Sequence, residues 1–150
     1  MKIDEALQTK FKSPQQKAVI NIRFTSNFLG NIQQNKMNQY DLTMPQFNIL
    51  RILRGAGEAI NVNTVKDRMI EKSPNTTRLM DKLIEKGLIE RIRCDKDRRV
   101  VYVQISTSGL HLLTEIDKNS DINTMINAGL TDDEANILSN LLDKVRSNHE

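Results

Sequence analysis

Apolar residues recur at helical spacing over most of the chain, and turn or capping residues punctuate them. Residues 1 to 12 are polar and irregular and read as a loose arm. Ser13-Pro14 then offers a capping hydroxyl followed by a first-turn proline, and Ala18, Ile22, Leu29 and Ile32 recur at helical spacing. Together they predict a long helix over about 14–38. Thr43-Met44-Pro45-Gln46 has the T-x-x-Q pattern of a capping box, and Phe47, Leu50, Ile52 and Leu53 supply an apolar stripe that stops at Gly55-Ala56-Gly57. That predicts a helix over about 44–55. A third is expected from Asn63, as its cap, through Val65, Met69 and Ile70. A fourth runs from Ser73-Pro74 to Lys86, where Gly87 is placed to end it in a left-handed cap.

The period then changes. Leu88 to Cys94 and Val100 to Ile105 are both strand-like, and the short link Asp95 to Arg99 between them predicts a β-hairpin. Ser106 can cap a further helix holding Leu110, Leu113 and Ile116, with Met125 and Ile126 beyond a polar middle from Asp117 to Asp121. Thr131-Asp132-Asp133-Glu134 is a strong capping box, and Leu138, Leu141, Leu142 and Val145 make the last helix amphipathic. The expected fold is mainly α with a small β-hairpin wing. Helix, helix, hairpin in the centre is a winged helix-turn-helix pattern.

Charge divides the same chain unevenly. Residues 1–60 carry eight Lys/Arg against four Asp/Glu, residues 61–105 eleven against seven, and residues 106–150 three against eight. A positive field over the first two-thirds points to a polyanionic partner for that part of the molecule.

Other classes find little support. With 150 residues the chain reads as one domain able to bury a sizeable core without staples. The single cysteine, Cys94, excludes an internal disulfide and a cysteine-built zinc cluster. His111 and His149 are too far apart for a metal site of usual spacing, so no metal or cofactor is expected. The opening MKIDEALQTKFK lacks the apolar centre of a signal peptide, and no apolar run is long enough to span a membrane. The expectation is a soluble, cytoplasmic protein that is not an enzyme, since no nucleophile–base pair or phosphate loop is visible.

Within the fourth helix, Leu79, Met80, Leu83 and Ile84 must face the core, with Thr76 on the same side. Asn75, Thr77, Arg78 and Lys82 then face outward, with Ser73 at the start. These types suit DNA in the major groove: Arg holds guanine bidentately, Asn pairs with adenine, and Thr reaches a phosphate or a thymine methyl. The bland alternative is that Arg78 and Lys82 pair with Asp81 and Glu85 on a solvated face. The hairpin tip weighs against it. Lys96, Arg98 and Arg99 protrude there, suited to a narrow minor groove, and Asp97 is placed to hold an arginine extended.

These residues resemble the MarR-type transcription regulators. The family's hallmark, D-x-R, five residues, then L-T-x-x-G, is matched in register by Asp97-Arg98-Arg99, Val100 to Gln104, and Ile105-Ser106-Thr107-Ser108-Gly109. Ile-Ser stands in for Leu-Thr, keeping an apolar strand residue and a capping hydroxyl. "TTRLMDKLIEKGLIER" from Thr76 looks like the family's recognition helix and strand, "LTMPQFNILRIL" from Leu42 like its preceding segment, and "LTDDEANILSNLLDKV" from Leu130 like its closing helix. The resemblance spans about residues 40–148.

It implies a single MarR-like domain over 1–150, with a winged helix-turn-helix lobe at about 44–105 and dimerisation helices at about 14–38 and 106–148. It implies a homodimer reading a pseudo-palindromic double-stranded DNA operator, with Arg99 as the wing arginine and Asp97 as its support. It further implies a repressor relieved by a small aromatic or amphipathic effector in a cleft, for which Met37, Tyr40 and Phe47 are the candidates. Cys94 reads as a bystander thiol. The competing reading is a winged-helix protein–protein interaction module whose basic face binds an acidic partner.

Overall fold

In the computed structural model, which describes residues 1–119 and 129–147, side-chain caps set where several of the helices begin. The chain divides into two compact units, Met1–Leu113 and Thr114–Glu150.

The first unit opens with a short helix α1, Ile3–Ala6, rather than the loose arm expected there. Its Ile3 is buried, and Asp4 is held by Lys17 at 2.5 Å. The ammonium that donates to it keeps the Asp4 carboxyl below its ordinary pKa. Helix α2, Pro14–Asn38, starts as predicted, with the Ser13 hydroxyl accepting from the Gln16 amide. Helix α3, Met44–Ala56, has the full capping box: the Gln46 amide donates to Thr43 Oγ1 at 3.2 Å and the Thr43 amide to Gln46 Oε1 at 3.0 Å. Gly57, at φ 68°, ends it.

Two helices differ in their boundaries from the sequence expectation. Helix α4 is Val62–Arg68, capped by Asn61 and not Asn63, because Ile60–Asn61 form a strand, β1, that delivers the Asn61 side chain to the Asn63 amide at 2.8 Å. Met69 is extended, so the helix stops before Ile70. Helix α5 is Thr76–Glu85, beginning after Ser73-Pro74 instead of at it. Strands β2, Ile89–Arg93, and β3, Val101–Ile105, form the expected hairpin, in the register Ile89 to Ile105 and Arg93 to Val101. With β1 paired to β3, the wing is a three-stranded antiparallel sheet in the order β1-β3-β2.

The core of this unit is continuous. Ile49, Leu50 and Leu53 of α3, Val65 of α4, Met80 and Leu83 of α5, and Ile89 and Val103 of the sheet are all fully buried. Truncating any of the larger ones to Ala would cost about 2–5 kcal/mol. Gln34 ties α2 to this core, donating to the Leu42 carbonyl at 3.1 Å and accepting from the Met44 amide at 3.0 Å.

Helix α6, Thr107–Asp117, leaves β3 through the cap at Ser106. It ends where the polar run from Asp117 begins; Met125 and Ile126, expected further on, lie outside the described residues. In the second unit, α7, Asp132–Ser147, carries the predicted capping box, with the Thr131 amide donating to Glu134 Oε2 at 2.9 Å. That bond holds the Glu134 carboxyl below its ordinary pKa. None of its residues is buried, and Ile137, Leu138, Leu141 and Val145 form an exposed apolar stripe. On α2, Val19, Phe24 and Phe28 are likewise exposed.

Candidate nucleic-acid interface

The turn between α4 and α5 is fixed by side chains from three directions. The Ile70 amide donates to Asn48 Oδ1 on α3 at 3.0 Å. Lys72 turns its ammonium onto the carbonyls of Lys66 and Asp67, capping α4 from outside. Ser73, expected as the helix cap, instead accepts from the Asn75 amide at 3.1 Å within the turn, and its carbonyl accepts from Thr76 Oγ1 at 2.9 Å. This last bond explains a threonine on the inward face: Thr76 is 1 % exposed, and a buried hydroxyl needs a partner.

From that start α5 presents its faces as the sequence indicates. Met80 and Leu83 are buried and Leu79 and Ile84 half-buried, while Asn75, Thr77, Arg78 and Lys82 are exposed. The competing pairing of Arg78 with Asp81 does not occur. Asp81 is taken by Arg91 of β2, whose Nη2 lies 2.5 Å from Asp81 Oδ1. Arg78 and Lys82 form no ion pair among the described residues. At the far end of α5, Lys86 reaches Asp41 in the α2–α3 turn, with Nζ 3.0 Å from the carboxylate.

The wing tip carries Lys96, Asp97, Arg98 and Arg99 in the open. Asp97 supports Arg99 chiefly through the backbone: its Oδ1 accepts from the Arg99 amide at 2.9 Å, and the guanidinium lies 3.9 Å from the same oxygen. The Arg99 side chain is 96 % exposed. Behind the tip, Gln104 of β3 donates to Glu90 of β2 at 3.0 Å, pairing the two strands across the sheet. Cys94 is partly covered.

The base of the wing is welded to α5. Gly87 ends the helix at φ 70°, and its carbonyl accepts from Ser106 Oγ at 2.6 Å. Ser106 Oγ in turn accepts from the Gly109 amide at 3.1 Å, while the Ser106 amide donates to the Leu88 carbonyl at 3.0 Å. Gly109 has to be glycine here, because a Cβ would lie 2.3 Å from the Leu88 carbonyl oxygen. The I-S-T-S-G stretch thus has a packing reason: α6 must start in contact with the chain that leaves α5.

The structure places the three candidate effector residues at different depths. Met37 is 1 % exposed and Phe47 is buried with Arg51 over its ring at 5.7 Å, so both are core; Tyr40 is half-buried. A cavity of about 390 Å3 opens beside them, between the end of α2, the start of α3 and α5. Its walls include Gln34, Thr43, Leu79, Lys82 and Lys86. Periodicity could not separate these wall residues from plain surface, because the three segments that supply them meet only in the fold.

The comparisons with known proteins agree with this geometry. A family model described as MarR family matches residues 42–101. The chain is similar to the HTH-type transcriptional regulator MhqR of Bacillus subtilis (strain 168), 30% identical over 79% of this chain and 82% of that one. It is also similar to the HTH-type transcriptional regulator YfiV of the same organism, 33% identical over 55% of this chain, which spans about half (49%) of that relative. Among solved structures, a mutant MarR from E. coli complexed with operator DNA superposes with a TM-score of 0.69 at 27% identity, covering 89% of this chain and 99% of that one.

Proposed function

The chain belongs to the MarR family of DNA-binding transcriptional regulators, and on that premise we propose that it is a homodimeric repressor of a pseudo-palindromic operator, released by a small-molecule effector. The observation that carries this reading is the outward face of α5: Asn75, Thr77, Arg78 and Lys82 stand exposed on a helix whose opposite face is locked into the core, with the one neighbouring aspartate held elsewhere. Such a face fits the major groove, and the wing arginines Arg98 and Arg99 fit the flanking minor groove. Ser73, Lys96 and Asp97 flank these contacts, as turn, phosphate contact and wing support.

The exposed apolar stripes on α2 and α7 support the dimer, since a lone protomer would leave them in water. We read residues 1–150 as one regulator domain, its DNA-reading lobe at about 44–105. For the effector, the 390 Å3 cavity is the better candidate than the buried Met37 and Phe47 with the half-buried Tyr40. Lys82 on its wall suits an acidic group and Leu79 an apolar or aromatic body, whereas Lys86 there is already paired with Asp41, which also lines the cavity.

The test is selection from random duplexes with purified protein. A consensus of two inverted half-sites about one helical turn apart is expected, together with release from that duplex by members of a panel of aromatic carboxylates and phenols. Failure to enrich any consensus would favour an assembly module over a regulator.

A further inference from the structure

Resting on the operator-binding reading, we propose that Arg91 is a positioning residue of the recognition helix: it holds Asp81 away from Arg78 and cancels a negative charge at the edge of the DNA-facing surface. Arg78 and Asp81 are three residues apart on α5, the spacing at which helical side chains meet. Left alone, that pair would form on the helix surface and occupy the guanidinium that the groove requires. The structure shows the pair not made. Arg91 comes from the neighbouring strand β2, and its Nη2 lies 2.5 Å from Asp81 Oδ1, with both side chains about half exposed. Arg78 consequently has no ion-pair partner among the described residues and stays exposed.

The sheet makes this arrangement reproducible. Arg91 is fixed opposite Val103 in the antiparallel register, and the preceding Ile89 is buried, so the strand cannot slide to bring another cation to Asp81. Two roles follow from one contact. Asp81 is denied to Arg78, and an acidic group that would repel phosphates is neutralised before DNA arrives.

The role predicts a pattern of substitutions that a direct phosphate contact would not give. On a duplex selected by the wild-type protein, Arg91→Gln is expected to weaken binding about three-fold per recognition helix, hence about ten-fold for a dimer, in keeping with the modest strength of exposed pairs. Asp81→Asn alone should leave affinity within about two-fold, because it removes the competitor along with the partner. Asp81→Asn combined with Arg91→Gln should recover most of the loss, and Arg91→Lys should show little loss at all. Thermal melting of each variant separates these effects from unfolding.

If the loss in Arg91→Gln persists unchanged in the double variant, Arg91 is an ordinary phosphate contact and the proposal fails. It fails equally if Asp81→Asn is as damaging as Arg91→Gln, the mark of a purely structural pair, or if Arg91→Gln binds normally. Wild-type protein that selects no duplex would instead count against the operator-binding reading itself.

Discussion

The Ser106 hydroxyl donates to the Gly87 carbonyl at 2.6 Å while accepting from the Gly109 amide at 3.1 Å, so one side chain closes both the end of the recognition helix and the start of α6. Removing it leaves the Gly87 carbonyl without this donor and α6 without its cap. Ser106→Ala is expected to lower stability by about 1–3 kcal/mol, whereas Ser106→Thr keeps both bonds and should stay within about 1 kcal/mol of wild type. Urea unfolding at one fixed protein concentration makes the comparison, since dimerisation would shift the midpoint otherwise.

Gly109→Ala should be worse than its chemistry suggests. The new methyl would lie 2.3 Å from the Leu88 carbonyl oxygen and 2.7 Å from Ile105 Cγ1, and the first of these is backbone that cannot swing aside. A loss of about 3 kcal/mol is expected. Gly55→Ala is the control: nothing lies within 4 Å of its Cβ, and alanine favours the helix, so it should be neutral or stabilising by up to about 1 kcal/mol. Thermal melts of the two variants check the contrast.

Arg99→Ala removes a side chain that is 96 % exposed and touches little but Asp97. Stability should stay within about 0.5 kcal/mol, while operator affinity falls by about 1–3 kcal/mol per half-site. Asp97→Ala should weaken binding as well, through loss of the bond from the Arg99 amide that shapes the wing tip. Fluorescence anisotropy on the selected duplex, beside melting curves, reads both.

Low pH should loosen the start of α7. Glu134 is held below its ordinary pKa by the Thr131 amide and hydroxyl, so the folded state binds this proton less readily than the unfolded chain. Its contribution is therefore present above the ordinary glutamate pKa of about 4.3 and is lost as pH falls through the depressed value. An NMR titration of the Glu134 carboxyl should show the depressed midpoint, and Thr131→Ala, which removes the hydroxyl but keeps the amide, should move it only part of the way back.

Much of this architecture was legible because helix starts are written in local chemistry. Ser13, Thr43, Ser106 and Thr131 each cap where their sequence places them, and the hairpin follows from two β-prone runs with Asp95 to Arg99 between them. What escaped the sequence depends on contacts between distant segments. Strand β1 has two residues, too few to show a period, and exists because Ile60 and Asn61 pair with Val103 and Tyr102. Ser73-Pro74 looks like a helix cap, but the buried Thr76 hydroxyl needs the Ser73 carbonyl, and the helix begins later. The outward face of α5 came from helical geometry alone. That Asp81 would be claimed by Arg91 could not be read, since their pairing requires β2 to lie beside α5.

A dimer of this chain is expected to bind a specific duplex through both its basic contacts and its recognition helices. The direct measurement is the affinity for the selected duplex and for a scrambled one across a salt series. A log–log slope corresponding to ~6–10 phosphate contacts is expected on the selected duplex, with preference over the scrambled one by at least about 10³-fold. A flat salt dependence, or equal affinity for the two duplexes, would contradict it.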